Sequence, residues 1–223
     1  MEPTTCPQEL TIPATAVRLA GALTLPSGAQ GLVLFAHGSG SSRQSPRNRY
    51  VAEVLGRAGL GTLLFDLLTP TEEQEDAVTA AWRFDIGLLA RRLVEVTDWV
   101  GQLPTCRGLP LGYFGASTGA AAALIAAAER PACVWAVVSR GGRPDLAGPA
   151  LAEVQAPTLL LVGGEDPTVL SLNREAAAQL RAPVELVIVP GATHLFEEPG
   201  TLEAVAKAAA AFFERHLGRR GRP

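Results

Sequence analysis

Gly115-Ala116-Ser117-Thr118-Gly119 is the stretch on which the reading of this chain turns, because an apolar run over residues 109–114 ends at it and an alanine-rich run over residues 119–130 begins there. A serine with glycines two residues to either side is a weak pattern alone, and its place at a strand-to-helix junction is what gives it meaning. So sharp a turn leaves no room for side chains beside the serine, and it lifts the hydroxyl clear of the sheet. The helix that follows aims its unbonded N–H groups at the same spot. A serine there also suits a plain helix N-cap, so the flanking chain has to decide.

Outward from this turn the chain alternates. Upstream, residues 17–25 read as a strand closed by Pro26-Ser27-Gly28, 31–36 as a continuous apolar strand, 49–58 as a helix and 60–68 as a strand. Residues 81–103, with Phe84, Leu88, Leu89, Leu93, Val96 and Val100 at three- and four-residue steps, predict the longest helix. Downstream, strands over 133–139, 157–163 and 184–189 alternate with helices over 170–180 and 200–217. Strands apolar on both faces and separated by helices predict an α/β fold: a doubly wound, mainly parallel sheet with helices on both faces and the active groups at the carboxyl ends of the strands. Two segments fit less tidily. Residues 68–80, polar and acidic, read as a solvated loop, and 141–154, rich in Gly and Pro, as a loop or short helix too small for a sizeable lid.

Three polar residues follow strands in the order Ser117, Asp166, His194. A serine hydroxyl is too weak an acid to attack an ester at neutral pH, so it needs an imidazole to take its proton and a carboxylate to orient that imidazole. Asp166, in Gly163-Gly164-Glu165-Asp166-Pro167, and His194, in Pro190-Gly191-Ala192-Thr193-His194, are the candidates. Glu165 is a rival for the carboxylate, and an aspartate after a strand also suits a helix cap. The tetrahedral intermediate needs two N–H donors. Thr118, next after the serine, is one candidate, and Ser39 in His37-Gly38-Ser39-Gly40-Ser41-Ser42 is the other. That loop could instead cradle phosphate, but it lacks the lysine and the full glycine spacing. His37 reads as a brace for the loop rather than a second base. Arg140 and Arg143 lie on the rim after the next strand, where an arginine fork suits a substrate carboxylate or phosphate; the competing reading is a solvated loop with Arg143 on Asp145.

Composition narrows the chemistry further. With 223 residues, 48% hydrophobic, 18% charged and a net charge of −3, the chain reads as one globular domain over 1–223, flexible at about 1–10 and 218–223, with no nucleic-acid partner. Lys207 is the only lysine and falls in the last predicted helix, which leaves none for a phosphate loop or a Schiff base. Three histidines and three scattered cysteines, Cys6, Cys106 and Cys133, suit neither a zinc site nor a disulfide framework, so no metal and no cofactor are expected. The longest apolar run, residues 120–128, is far short of the roughly 20 residues of a membrane span, and a cytoplasmic location is expected.

With HGSGSS, GASTG, GGEDP and GATH in register over nearly its whole length, the chain resembles an α/β-hydrolase of the dienelactone-hydrolase-like branch. The resemblance implies carboxylic ester hydrolysis through an acyl-enzyme, with Ser117 as nucleophile, Asp166 as acid and His194 as base, acting on a small ester, lactone or thioester. Dienelactone hydrolases proper carry cysteine where this chain has Ser117. Residues 139–145 also resemble short bacterial hydrolases found fused to phosphoribosyltransferase domains, and no such domain is read in these residues. An acyltransferase with the same triad and a catalytically silent binding module are the rival readings.

Overall fold

The computed structural model describes residues 6–218. Its eight strands are β1 (Gln8–Ala14), β2 (Val17–Thr24), β3 (Leu32–Ala36), β4 (Gly61–Phe65), β5 (Leu111–Ala116), β6 (Val134–Arg140), β7 (Thr158–Gly163) and β8 (Val184–Val189). They form one sheet in the order β1-β2-β4-β3-β5-β6-β7-β8, antiparallel from β1 to β4 and parallel from β4 through β8. Helices α1 (Pro46–Arg57) and α6 (Thr201–Leu217) cover one face, where Val51, Leu55, Phe212 and Phe213 meet Val33, Phe35, Phe114 and Val138. On the other face, α3 (Ile86–Val100) and α4 (Thr118–Glu129) pack Leu93, Val96 and Ala121–Ala123 on Leu34, Tyr113 and Val137. The doubly wound parallel sheet expected from the alternation of elements is therefore the fold. Ala120 to Ala123 in α4 are all fully buried, and side chains this small let a helix lie close to its sheet.

Several boundaries differ from the sequence reading, each for a local reason. Residues 8–10 are not a flexible end. They open β1, whose only buried side chain is Ile12, so this edge strand carries almost no apolar signal. Residues 1–5 and the arginines at 219, 220 and 222 lie outside the described residues. The acidic segment is not a solvated loop but helix α2 (Pro70–Thr79), opened by a capping box. Thr69 Oγ1 accepts from the Glu72 amide and Glu72 Oε2 accepts from the Thr69 amide, at 3.3 and 2.8 Å, with Pro70 preset at the first helical position. Arg92 clamps Glu72 with two bonds of 2.7 and 2.6 Å, so the acidic charge is neutralised rather than hydrated. Burial alone would push the Glu72 carboxyl up, but Arg92 and the Thr69 amide outweigh it and hold it below the ordinary glutamate range.

The helix expected over 81–103 starts only at Asp85, whose side chain caps the Leu88 amide at 2.9 Å. The residues before it are used differently: Asp76 accepts from the amides of Trp82 and Arg83 and from Arg83 Nε, at 2.9, 2.8 and 2.6 Å. Phe84 is left 60% exposed, off the helical face to which its spacing assigned it. The longest helix is α6, with 17 residues. Residues 167–177 form α5 (Pro167–Ala177), and the Gly/Pro-rich segment holds a 3-10 stretch, Pro144–Glu153, broken at Gly148. That stretch packs against α4 and α5 and forms no lid.

Candidate active site

All six parallel strands, β3 to β8, end at one edge of the sheet, and the candidate residues collect there. Ser117 stands between β5 and α4 with φ 49° and ψ −123°, a conformation that costs a side-chain-bearing residue about 1–3 kcal/mol. The surroundings enforce it. A Cβ on Gly115 would lie 2.5 Å from Ala120 Cα, and one on Gly119 would run into the carbonyls of Ala36 and His37. Both glycines are there because the turn is pressed between β3 and its own helix. The Ser117 amide donates to the Arg140 carbonyl at 3.3 Å and its carbonyl accepts from the Arg143 amide at 3.1 Å, which ties the turn to the end of β6. Ser117 makes no side-chain cap bond to α4, so the plain N-cap reading does not describe it.

The glycine-rich loop after β3 lies directly on this turn. A Cβ on Gly38 would sit 2.8 Å from Ser117 Cβ, and Ser39 Oγ meets Thr118 Oγ1 at 3.1 Å. Among the described residues, neither the Ser39 nor the Thr118 amide donates to a backbone carbonyl. His37 holds the loop from behind. The Leu67 amide donates to its Nε2 at 2.9 Å, so Nδ1 carries the proton and donates to the Gly38 carbonyl at 3.0 Å. Burial keeps its pKa below the ordinary histidine value, only partly offset by that carbonyl and by the charge of Asp66.

Asp166 performs two tasks with its two oxygens. As N-cap of α5 its Oδ1 accepts from the Val169 amide at 3.3 Å, while Oδ2 accepts from His194 Nδ1 at 2.8 Å. Glu165 is exposed, and its amide bonds the Ala192 carbonyl at 2.9 Å; its carboxylate is not the one on His194. Thr193, next to His194, donates from its amide and hydroxyl to Glu198 at 3.1 and 2.5 Å, which stiffens the loop. No hydrogen bond joins Ser117 Oγ to His194 among the described residues. Gly141, next after the Arg140 carbonyl that the Ser117 amide bonds, lies beside His194: a Cβ there would sit 3.7 Å from His194 Cε1.

The arginines part company. Arg143 is spent on Asp145, with Nε and Nη2 at 2.9 and 2.7 Å. Arg140, the last residue of β6, is buried and has no side-chain hydrogen-bond or ion-pair partner among the described residues. Beside the elbow lies a cavity of about 540 Å³ lined by the loop 37–42, Thr118, Arg47 and, on its far side, Glu73, Asp76 and Ala77 of α2. The sequence reading missed α2 as a wall of this cavity, although Thr69-Pro70-Thr71-Glu72 carried the capping-box signal. Among the described residues no cluster of three metal-ligating side chains occurs, and no helix is long and apolar enough to cross a membrane. Cys6, Cys106 and Cys133 are unpaired.

A parallel sheet with a strained serine turn, an aspartate–histidine pair and a glycine-rich loop at one edge is an α/β-hydrolase. The sequence profile of the Dienelactone hydrolase family matches residues 46–218, and the chain belongs to that family. A crystal structure of dienelactone hydrolase from Anabaena variabilis is 60% identical, covering 95% of this chain and 99% of that one with a TM-score of 0.92. Est1E from Butyrivibrio proteoclasticus, solved with ferulic acid bound, shares the fold at 18% identity over 93% of this chain and 99% of its own, with a TM-score of 0.79. A Mycobacterium tuberculosis protein named "Putative phosphoribosyl transferase" is 60% identical over 210 residues, which is 94% of this chain and 46% of that protein. The chain thus spans about half the length of the curated relatives it matches.

Proposed function

We propose that the protein hydrolyses small carboxylic esters, lactones or thioesters through an acyl-enzyme on Ser117. The observation that carries this reading is the 2.8 Å bond from His194 Nδ1 to Asp166 at the edge where Ser117 is held in its strained turn. With Nδ1 donating to the carboxylate, Nε2 keeps its lone pair for the serine proton. Ser117 Oγ attacks the carbonyl carbon as its proton passes to His194, and the oxyanion that forms takes the amides of Thr118 and Ser39. Collapse of the intermediate expels the alcohol or thiol, which leaves with the proton from His194. Water, deprotonated by the same imidazole, then frees the acid and restores the serine. The phosphoribosyl transfer in the relatives' name goes with a protein about twice as long and is not proposed for these residues.

A fluorophosphonate probe tests the nucleophile: labelling of the wild-type protein and none of Ser117→Ala is expected, and labelling of both overturns the assignment. Hydrolysis compared with transfer to added alcohols or thiols separates a hydrolase from an acyltransferase. In a panel of esters, short soluble acyl chains are expected to outrun long ones. The cavity wall carries Arg47, Glu73 and Arg83, so an added methylene gains less than the ~0.8 kcal/mol of full burial. A steep gain with chain length overturns that expectation.

A further inference from the structure

Alternation along β6 sends Val138 and Arg140 to the face covered by α1 and α6, and there the Arg140 guanidinium ends without a counter-charge. Its Nε and Nη1 are sealed from solvent and unpartnered, and the residue's remaining 8% exposure leaves Nη2 as the one nitrogen within reach from outside. Among the described residues no donor of the guanidinium is spent, whereas Arg43, Arg83, Arg92 and Arg143 each sit on a carboxylate. The neighbours do not replace one. The Phe196 ring, two residues after His194, lies 6.0 Å below the guanidinium, which is a weak attraction. The nearby charge is another cation, Arg47, and together with burial it pulls the Arg140 pKa down to about 10. Arg140 therefore still carries its charge at neutral pH, and a buried charge without a partner is unfavourable enough to need one.

Arg47 shows where the partner comes from. It is the second residue of the 12-residue helix α1, where Pro46 has no N–H and the Asn48 amide is capped by Ser45 Oγ, and its own Nε is also buried and unpartnered among the described residues. Its Nη1 holds Glu197 at 2.8 Å across the surface, and this bridge joins the start of α1 to the loop after His194. The two side chains are 31% and 63% exposed, and so open a pair holds loosely.

We infer that Arg140 and Arg47 form a binding site for a small oxyanion, reached when the Arg47–Glu197 bridge opens. The anion takes the Nη edge of Arg140, and Arg47 turns from Glu197 to close on it. The site stands independently of the esterase reading. Only its use by an acidic group of the substrate rests on that reading.

Thermal melting in phosphate-free buffer, with sodium phosphate added against sodium chloride of equal ionic strength, tests the site. A saturable rise of about 3–6 °C is expected for the wild type at ten times the Kd. Arg140→Met is expected to show no such rise and, having lost an unpaired buried charge, to melt at or above the wild type in phosphate-free buffer. Arg47→Met weakens the response, and Glu197→Gln moves it to lower phosphate. An equal response in Arg140→Met, or none beyond chloride in the wild type, overturns the proposal and leaves buried water to satisfy the guanidinium. Kinetics then separate two sources of the anion. A loss of kcat/KM in Arg140→Met at least tenfold greater for esters bearing an acid group than for neutral ones, with phosphate competing against the former, assigns the site to the substrate. Equal losses with non-competitive phosphate assign it to a resident ion. If Ser117→Ala leaves turnover intact, the esterase reading fails while the melting series still decides the site.

Discussion

His37 follows β3 and His194 follows β8 at the same edge of the sheet, yet their rings meet opposite surroundings. Both nitrogens of His37 are taken by backbone groups, the Leu67 amide and the Gly38 carbonyl, and the ring is buried. His194 spends one nitrogen on Asp166 and keeps its side chain 40% exposed toward the edge where Ser117 stands. A base needs one nitrogen oriented and the other free, and only His194 has that arrangement. A ring with both nitrogens committed can only hold structure. Protonating His37 would turn Nε2 into a second donor facing the Leu67 N–H.

The sharpest way to break this contrast is to remove each ring. His194→Ala and Ser117→Ala are each expected to lower turnover about 10⁴-fold, and the double variant by little more, because the two act as one unit. His37→Asn is expected to cost about 1–3 kcal/mol of stability by leaving the Leu67 amide unpaired, with turnover per folded molecule falling far less. Equal kinetic damage from His37→Asn and His194→Ala would erase the distinction. The carboxylates sharpen it next. Asp166→Asn is expected to lose about 10³–10⁴-fold, since the amide holds the wrong tautomer, while Glu165→Gln stays within about twofold. The reverse result moves the orienting role to Glu165.

The smallest effect is in pH and stability. Burial lowers the pKa of His37 in the folded state, so below the ordinary histidine value the unfolded chain binds a proton that the folded one refuses. Stability from this group is complete above about pH 6.5 and is lost as pH falls, by at most about 1.4 kcal/mol per pH unit. His216, lowered by burial and by Arg215, adds in the same direction. Chemical denaturation at pH 7 and pH 5.5 is expected to show this loss, shallower in His37→Asn. A wild type more stable at pH 5.5 than at pH 7 would contradict a buried neutral His37.

Much of this was readable from local pattern. Alternating apolar strands and helices specify a parallel sheet because each run must bury both faces, and the glycines around Ser117 record how closely β3 and α4 press on the turn. The order Ser117, Asp166, His194 follows from which strand each residue ends. Other features had a weak or misleading local trace. β1 buries only Ile12, and its pairing with β2 is decided across the sheet. Helix α2 had a readable cap but an acidic composition that suggested solvent, whereas Arg92 and Arg83, from beyond the helix, pair with two of its four acids, Glu72 and Asp76. Asp166 rather than Glu165 reaches His194 because the cap geometry of α5 turns one neighbour inward and leaves the other in solvent. Arg140 and Arg143 look alike three residues apart, and one is paired while the other is buried alone. Partners distant in sequence settle such differences: local patterns fix which residues gather at an edge, and packing fixes which charge finds which neighbour.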